Sequence, residues 1–456
     1  MSEDATKILI AEYMPSLNKG GLELLEGILK TFDALGQVDV AVFSLYPALD
    51  SKRYPAGWHL IDICRDLHVE RFLRGSSASS QLLASVYAGT QHLFFVLLFT
   101  LFGKNATGLM KSPLWQRYCS TDVFIACINE DDCVNGNYLR FSPVYISMLA
   151  KSLRKPVIVY ANSTTKTTNS VWIWRWQSRM VWRILATYFL NNMDLITTRD
   201  RITYELYKSF IKGKTPLHFT GDVGILMDPV DPLRAKRIMK QEKIVKDGRL
   251  LVGASITRRL LLHAFPEYPN YKERYEKGVS EIAKVFDRLV AGYHADIVFI
   301  PHCIEHTRNN DDRIVGRDIV KKMESKSNVK VITNEYSPQE LKGLIEQFDI
   351  FVGDRVHALI SALSMNVPCC VLAYRSDKRP YNLIGKDFKQ EKWIFEVETL
   401  TSDALYRLLT ELVLASEEIR RNLPLLTQHA KERACLNGQL LKILVDTRAT
   451  KSQKHA

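Results

Sequence analysis

The chain has 456 residues, enough for two sizeable cores and too many for one ordinary domain. With 46% apolar and 25% charged residues it is neither a disordered nor a collagen-like chain. Its net charge of +12 suits anionic partners, from phosphorylated small molecules to an acidic membrane surface.

Eight cysteines are scattered without a Cys-x-x-Cys pair or zinc-ligand spacing, so a reducing, cytoplasmic setting and no metal are expected. No apolar run opens the chain, and no signal peptide is expected.

Residues 7–13 read as a short apolar strand, then Asn18-Lys19-Gly20-Gly21 leads into a helical pattern at Leu22, Leu25, Ile28, Leu29 and Phe32. Residues 38–46, 58–63, 122–128, 157–161 and 195–198 read as further strands. Strands resume at 250–255, 297–301, 329–333, 350–353 and 369–373, with helical patterns between them. Such alternation predicts parallel sheets with right-handed crossovers, in two doubly wound domains facing each other across a cleft. The expected divisions are residues 1–227 on the acceptor side, a charged linker at 228–249, residues 250–446 on the donor side, and a frayed basic tail at 447–456.

Two stretches raise the question of a membrane. Residues 82–102 are 21 without a formal charge, with His92 near the middle. They fit a buried helix, a patch dipping into one leaflet, or a span. Residues 171–190, at about 100° per residue, align Arg175, Arg179 and Arg183 with Trp172, Trp176 and Trp182 on one helix face. Residues 151–214 hold 12 Lys/Arg against 3 Asp/Glu, a local net charge of +9. Peripheral contact with an anionic membrane is the expectation, with a solvated basic face as its plain alternative.

The chemistry gathers in residues 337–378. A strand ending at Gly353 runs into Asp354-Arg355-Val356-His357, which opens a helix. A helix N-terminus favours an anion, Arg355 offers a planar fork to carboxylate or phosphate, and His357 exchanges protons near neutral pH. Tyr374-Arg375-Ser376-Asp377-Lys378 follows the next strand and adds cations at the same sheet edge.

This segment resembles the polysaccharide pyruvyl transferase family. That family carries Gly-x-Arg-x-His-Ala-Leu-Ile, then Val-Pro, then Tyr-x-x-x-Lys; here these are residues 353–360, Val367-Pro368 and Tyr374…Lys378. Asn18…Gly20 is similar to its N-terminal turn, Thr198-Arg199-Asp200 to its Arg-Asp step, and Pro301-His302 with Asn310-Asp311-Asp312 to its Pro-His…Asn-Asp-Asp stretch. The chain departs at Asn129-Glu130-Asp131-Asp132, where the family has Gly-Gly, and at Ser163-Thr164-Thr165-Lys166, where it has Ser-x-Gly-Pro.

The resemblance implies two facing Rossmann-like domains of glycosyltransferase-B type. It implies transfer of the enolpyruvyl unit of phosphoenolpyruvate, a co-substrate and not a resident cofactor, to a glycan acceptor as a pyruvate ketal. His357 is then the general acid, and Arg199, Arg355 and Lys378 hold the donor. Asn18, Gly20, Arg258 and His302 are substrate-side candidates. Arg258 and Arg259 are expected to point towards the cleft, with plain surface arginines as the alternative. Asp311 and Asp312 fit either a sugar contact or a helix cap, and His302, Cys303 and His306 do not amount to a metal set. The competing readings are a nucleotide-sugar glycosyltransferase of the same fold and a non-catalytic membrane adaptor. No nucleic-acid module is visible.

Overall fold

A computed structural model of the chain describes residues 5–69, 78–110, 112–128, 142–164, 175–305, 307 and 310–453. They divide into two compact α/β units.

The first unit holds a seven-stranded parallel sheet in the order β3-β2-β1-β4-β5-β6-β7. Its strands are β1 (Thr6–Tyr13), β2 (Val38–Ser44), β3 (His59–Asp62), β4 (Val123–Cys127), β5 (Val157–Asn162), β6 (Leu195–Thr198) and β7 (Leu217–Phe219). Every residue of β4 and β5 is buried, as expected where helices cover both faces of a sheet. The helices that follow these strands in the chain are α1 (Lys19–Phe32), whose first half belongs to the second unit, α2 (Ala78–Phe102), α3 (Pro113–Ser120), α4 (Ser142–Ser152), α5 (Arg175–Asn191) and α6 (Arg201–Lys208).

The second unit holds a six-stranded parallel sheet in the order β10-β9-β8-β11-β12-β13. It comprises α7 (Pro232–Gln241), β8 (Leu251–Ser255), α8 (Arg258–His263), α9 (Tyr271–Tyr293), β9 (Asp296–Phe299), α10 (Asp312–Lys322), β10 (Val329–Val331), α11 (Pro338–Ile345), β11 (Ile350–Gly353), α12 (Val356–Ser364), β12 (Cys369–Ala373) and β13 (Ile394–Glu396). The long α13 (Ser402–Gln453) closes the chain. In each sheet the strand order turns back once, between β1 and β4 and between β8 and β11, which is where doubly wound sheets bind ligands. Only glycine fits at residue 353, because a Cβ there would lie 2.4 Å from the Ser255 carbonyl oxygen on the neighbouring strand.

Three expectations about the ends and joins need correcting. The compact units do not follow simple sequence halves: the second takes Leu17–Gly27 with Gly224–Glu432, and the first takes Ile28–Val223 and the chain from Arg433 onward. The segment 228–249 contains α7, because the Asp231 carboxylate accepts from the Leu233 amide and Pro232 fits the first helical position. The tail is helical through Gln453, since no Gly or Pro interrupts it after Gly438, which lies so near the Thr31 carbonyl that a Cβ would stand 2.2 Å away.

Helix α2 is amphipathic in an unusual sense. Ala84, Ala88, His92 and Phe95 face the core. Leu83, Val86, Leu93, Phe94, Leu97 and Leu101 are 49–65% exposed. Among the described residues of α2 the buried polar group is His92, whose Nδ1 donates to the Ala88 carbonyl and whose Nε2 accepts from the Tyr118 hydroxyl, each at 2.7 Å. Burial pushes the His92 imidazole down to about 4, so it is neutral. By length and composition alone residues 86–109 would suffice to cross a membrane, and few of them are buried. Of the expected arginine and tryptophan face, Arg183 is exposed on α5. Trp172 and the side chains of Arg175, Trp176, Arg179 and Trp182 lie outside the described residues, as do Asn129–Asp132, Thr165, Lys166 and His306.

Candidate active site

In the second unit, three strand ends and the start of α1 supply one cluster of side chains. Helix α12 is apolar on nearly every face and buried along its length, which fixes its N-terminal turn firmly at the end of β11. Arg355 occupies the capping position without capping through its side chain, and His357 is half-buried in the first turn.

The Arg355 guanidinium is forked onto Asp312 at the start of α10, with Nη2 donating to Oδ1 at 2.6 Å and Nε to Oδ2 at 3.1 Å. Asp312 Oδ2 also accepts from the amides of His302 and Cys303, at 3.0 and 2.8 Å. A buried carboxylate with four donors is fully satisfied, and it ties the turn after β9 to the turn after β11. Burial alone would lower the Arg355 pKa, but the Asp312 carboxylate outweighs it and holds the guanidinium above its ordinary value. Nη1 is left outside the pair. Burial pushes the Cys303 thiol up to about 12 against the pull of Arg355, so it is no nucleophile at neutral pH.

Asp354 accepts from Thr257 at both the amide, 2.8 Å, and the hydroxyl, 2.6 Å, linking the ends of β8 and β11. Burial raises its carboxyl to about 6, with Arg355 and Thr257 pulling the other way.

The start of α1 enters this cluster through backbone pairing. The Lys19 amide donates to the His302 carbonyl at 2.8 Å and the Ile304 amide to the Leu17 carbonyl at 3.0 Å, with Asn18 bridged to Cys303. A Cβ at Gly20 would stand 2.7 Å from His357 Nδ1, so the helix backbone lies against the imidazole. His302 is buried, and its Nε2 donates to Glu23 Oε1 at 2.9 Å.

The structure therefore brings together Asn18, Gly20, His302, Arg355 and His357. Lys378, after β12, is exposed, with its ammonium 5.2 Å from the Tyr381 ring centre. Arg258 stacks on Tyr275 at 4.1 Å, and Tyr275 donates to Asp318. Arg259 lies 5.6 Å from the ring centre of Tyr374. Arg199 belongs to the first unit, where it is fully buried at the end of β6, 3.4 Å from Asp222. Asp311 is a helix cap that also pairs with Arg313, whereas Asp312 is the partner of Arg355. Sequence reasoning missed Glu23. Its signal was an acidic residue set between Leu22 and Leu25 in the buried pattern of α1.

The arrangement supplies one proton-exchanging group at a helix N-terminus with a fixed cation two residues before it. Such a site can protonate a substrate carbon and stabilise anionic oxygen.

Residues 18–376 match the family described as polysaccharide pyruvyl transferase. No curated protein is significantly similar to the chain in sequence. Among solved structures, a Listeria monocytogenes putative UDP-N-acetylglucosamine 2-epimerase is similar with a TM-score of 0.57 at 10% identity, over 98% of this chain and 97% of that one. Staphylococcus aureus MnaA, solved with UDP, gives 0.54 at 14% identity over 95% and 94%. Arabidopsis thaliana UGT89C1, complexed with quercetin, gives 0.52 at 13% over 97% and 99%. At these identities the likeness concerns the fold alone, which is α/β of glycosyltransferase-B type.

Proposed function

Because the chain belongs to the polysaccharide pyruvyl transferase family, we propose that it moves the enolpyruvyl group of phosphoenolpyruvate onto a sugar of a polysaccharide or lipid-linked glycan. The observation that carries this reading is His357 in the first turn of α12, two residues after a guanidinium held in place by Asp312.

In the proposed reaction, His357 as imidazolium gives its proton to the donor's methylene carbon, which becomes a methyl group. Positive charge develops at C2, and a sugar hydroxyl adds there and returns its proton to the imidazole. The C2–phosphate oxygen bond breaks. A second hydroxyl closes the ketal, and its proton leaves with inorganic phosphate. Arg355 and the N-terminus of α12 stabilise the charge on the departing phosphate, and the exposed Lys378 contributes a further cation. Arg199 is assigned to the donor by resemblance alone. Asn18, Gly20, Arg258 and His302 shape the substrate side, Gly20 and His302 by holding other groups in place. The reaction as written calls for no metal.

The protein is further proposed to work in the cytoplasm, peripherally on the inner face of an anionic membrane. The support is the exposed leucine and phenylalanine side of α2. Lys104 is exposed just past its C-terminal end, whereas Arg117 is already held by Asp39 at 2.9 Å. Each large side chain moved out of water contributes roughly 1.5–3 kcal/mol, and each cation near anionic lipid about 1 kcal/mol.

The test is to incubate the protein with phosphoenolpyruvate and free or lipid-linked glycans, following phosphate release and the mass of the product. Ketal formation that falls about 10²–10⁴-fold in folded His357→Ala upholds the reading. Transfer from a nucleotide sugar instead, or no turnover at all with any donor, replaces it.

A further inference from the structure

We propose that Glu23 is a positioning residue for His357: its buried carboxylate fixes the start of α1 against α12 and so sets where the imidazole stands. This rests on His357 acting as the acid.

Glu23 is wholly buried. A carboxylate removed from water must be given donors. Here it has two: Oε1 accepts from His302 Nε2 at 2.9 Å, and Oε2 accepts from the Ser361 hydroxyl at 3.0 Å. Ser361 follows His357 by four residues, so both lie on one face of α12. Glu23 follows Gly20 by three, so both lie on one face of α1. The helices therefore meet at two levels about a turn apart. At one, the Gly20 backbone presses on the imidazole. At the other, Glu23 grips the hydroxyl of Ser361.

The same carboxylate orients His302. Acceptance by Glu23 requires hydrogen on Nε2, and His302 Nδ1 has no hydrogen-bond partner among the described residues. The His302 main chain is held separately, by Asp312 at its amide and by Lys19 at its carbonyl. Glu23 thus joins α1, α12 and the turn after β9 through one group. A shift of this carboxylate moves the α1 backbone, and Gly20 transmits the shift to His357.

The experiment uses the full chain carrying Glu23→Gln, an isosteric change, and Ser361→Ala, a milder one. Side-chain ¹⁵N spectra of histidine-labelled protein are recorded without substrate, with His357 assigned by its loss in His357→Ala. Turnover, KM for phosphoenolpyruvate and thermal unfolding are measured alongside. The expected result for Glu23→Gln is a displaced His357 signal and a kcat about 10- to 100-fold lower, with KM within about twofold of wild type. A folded Glu23→Gln with an unmoved His357 signal and wild-type kcat overturns the proposal. If Glu23→Gln does not fold, an unmoved His357 signal in Ser361→Ala overturns it equally. If the wild type proves inactive with phosphoenolpyruvate while Glu23→Gln still displaces the signal, the pyruvyl-transfer reading falls and the positioning role stands.

Discussion

Gly20 lies against His357 so closely that a Cβ on residue 20 would stand 2.7 Å from the imidazole Nδ1. The obstacle is a side-chain ring and not backbone, so the ring can swing away and the fold can survive. Gly20→Ala is therefore expected to fold with a melting temperature close to wild type. Its turnover should drop about 10²-fold, the scale of a displaced reacting group. Equal kcat in wild type and Gly20→Ala would show that the imidazole position is immaterial.

Arg355 and Asp312 form a nearly buried pair, 24% and 4% exposed at their side chains. Removing one partner strands the other charge, at a cost of roughly 3–5 kcal/mol. Arg355→Ala should show that loss in urea unfolding, over and above any effect on donor binding. Arg355→Lys should recover little, because an ammonium cannot fork onto both carboxylate oxygens. A lysine variant as stable as wild type would mean that the fork is incidental.

The raised Asp354 carboxyl makes stability depend on pH. Its ordinary value is 3.8 and its folded value about 6, so below 3.8 it is protonated whether folded or not and its favourable contribution is complete. That contribution is lost as the pH rises through about 6. Comparing wild type with Asp354→Asn at pH 4 and pH 7, the wild type should lose on the order of 1–3 kcal/mol more over the interval. Parallel stability curves for the two proteins would rule out this assignment.

The exposed side of α2 should bind acidic vesicles in a salt-sensitive way. Phe94→Glu with Leu97→Glu replaces two half-exposed apolar residues with charges that anionic lipid repels. Sedimentation with phosphatidylserine vesicles should fall at least tenfold, and activity on a soluble acceptor should be unchanged. Wild-type sedimentation of the double variant would leave that face without a membrane role.

The alternation of strands and helices was readable because parallel strands such as β4, β5 and β12 are continuous apolar runs. The Arg355–His357 turn was readable for a related reason: charged residues sit directly after such a run. What the chain concealed were relationships across long separations. Nothing near Asp312 announces that it meets Arg355, 43 residues away, and both alternatives expected for it, a sugar contact or a cap, were local. Glu23 was hidden inside a leucine pattern, since its partners His302 and Ser361 are 279 and 338 residues distant. The outward apolar side of α2 was ambiguous because composition is the same whichever way a helix is turned.

Should the proposed membrane contact hold, His92 limits how deeply that helix can enter. Its imidazole is bonded inward to Tyr118, and its ring lies 4.3 Å from that of Tyr145. The middle of α2 is thereby fastened to the core of its own unit and cannot roll. Only the outer half of a cylinder about 10–12 Å across is available to enter lipid. The attachment expected of such a half-immersed cylinder is a partition equilibrium. Protein bound this way is shed by an alkaline carbonate wash and rebinds fresh vesicles, whereas a spanning helix stays until detergent dissolves the membrane.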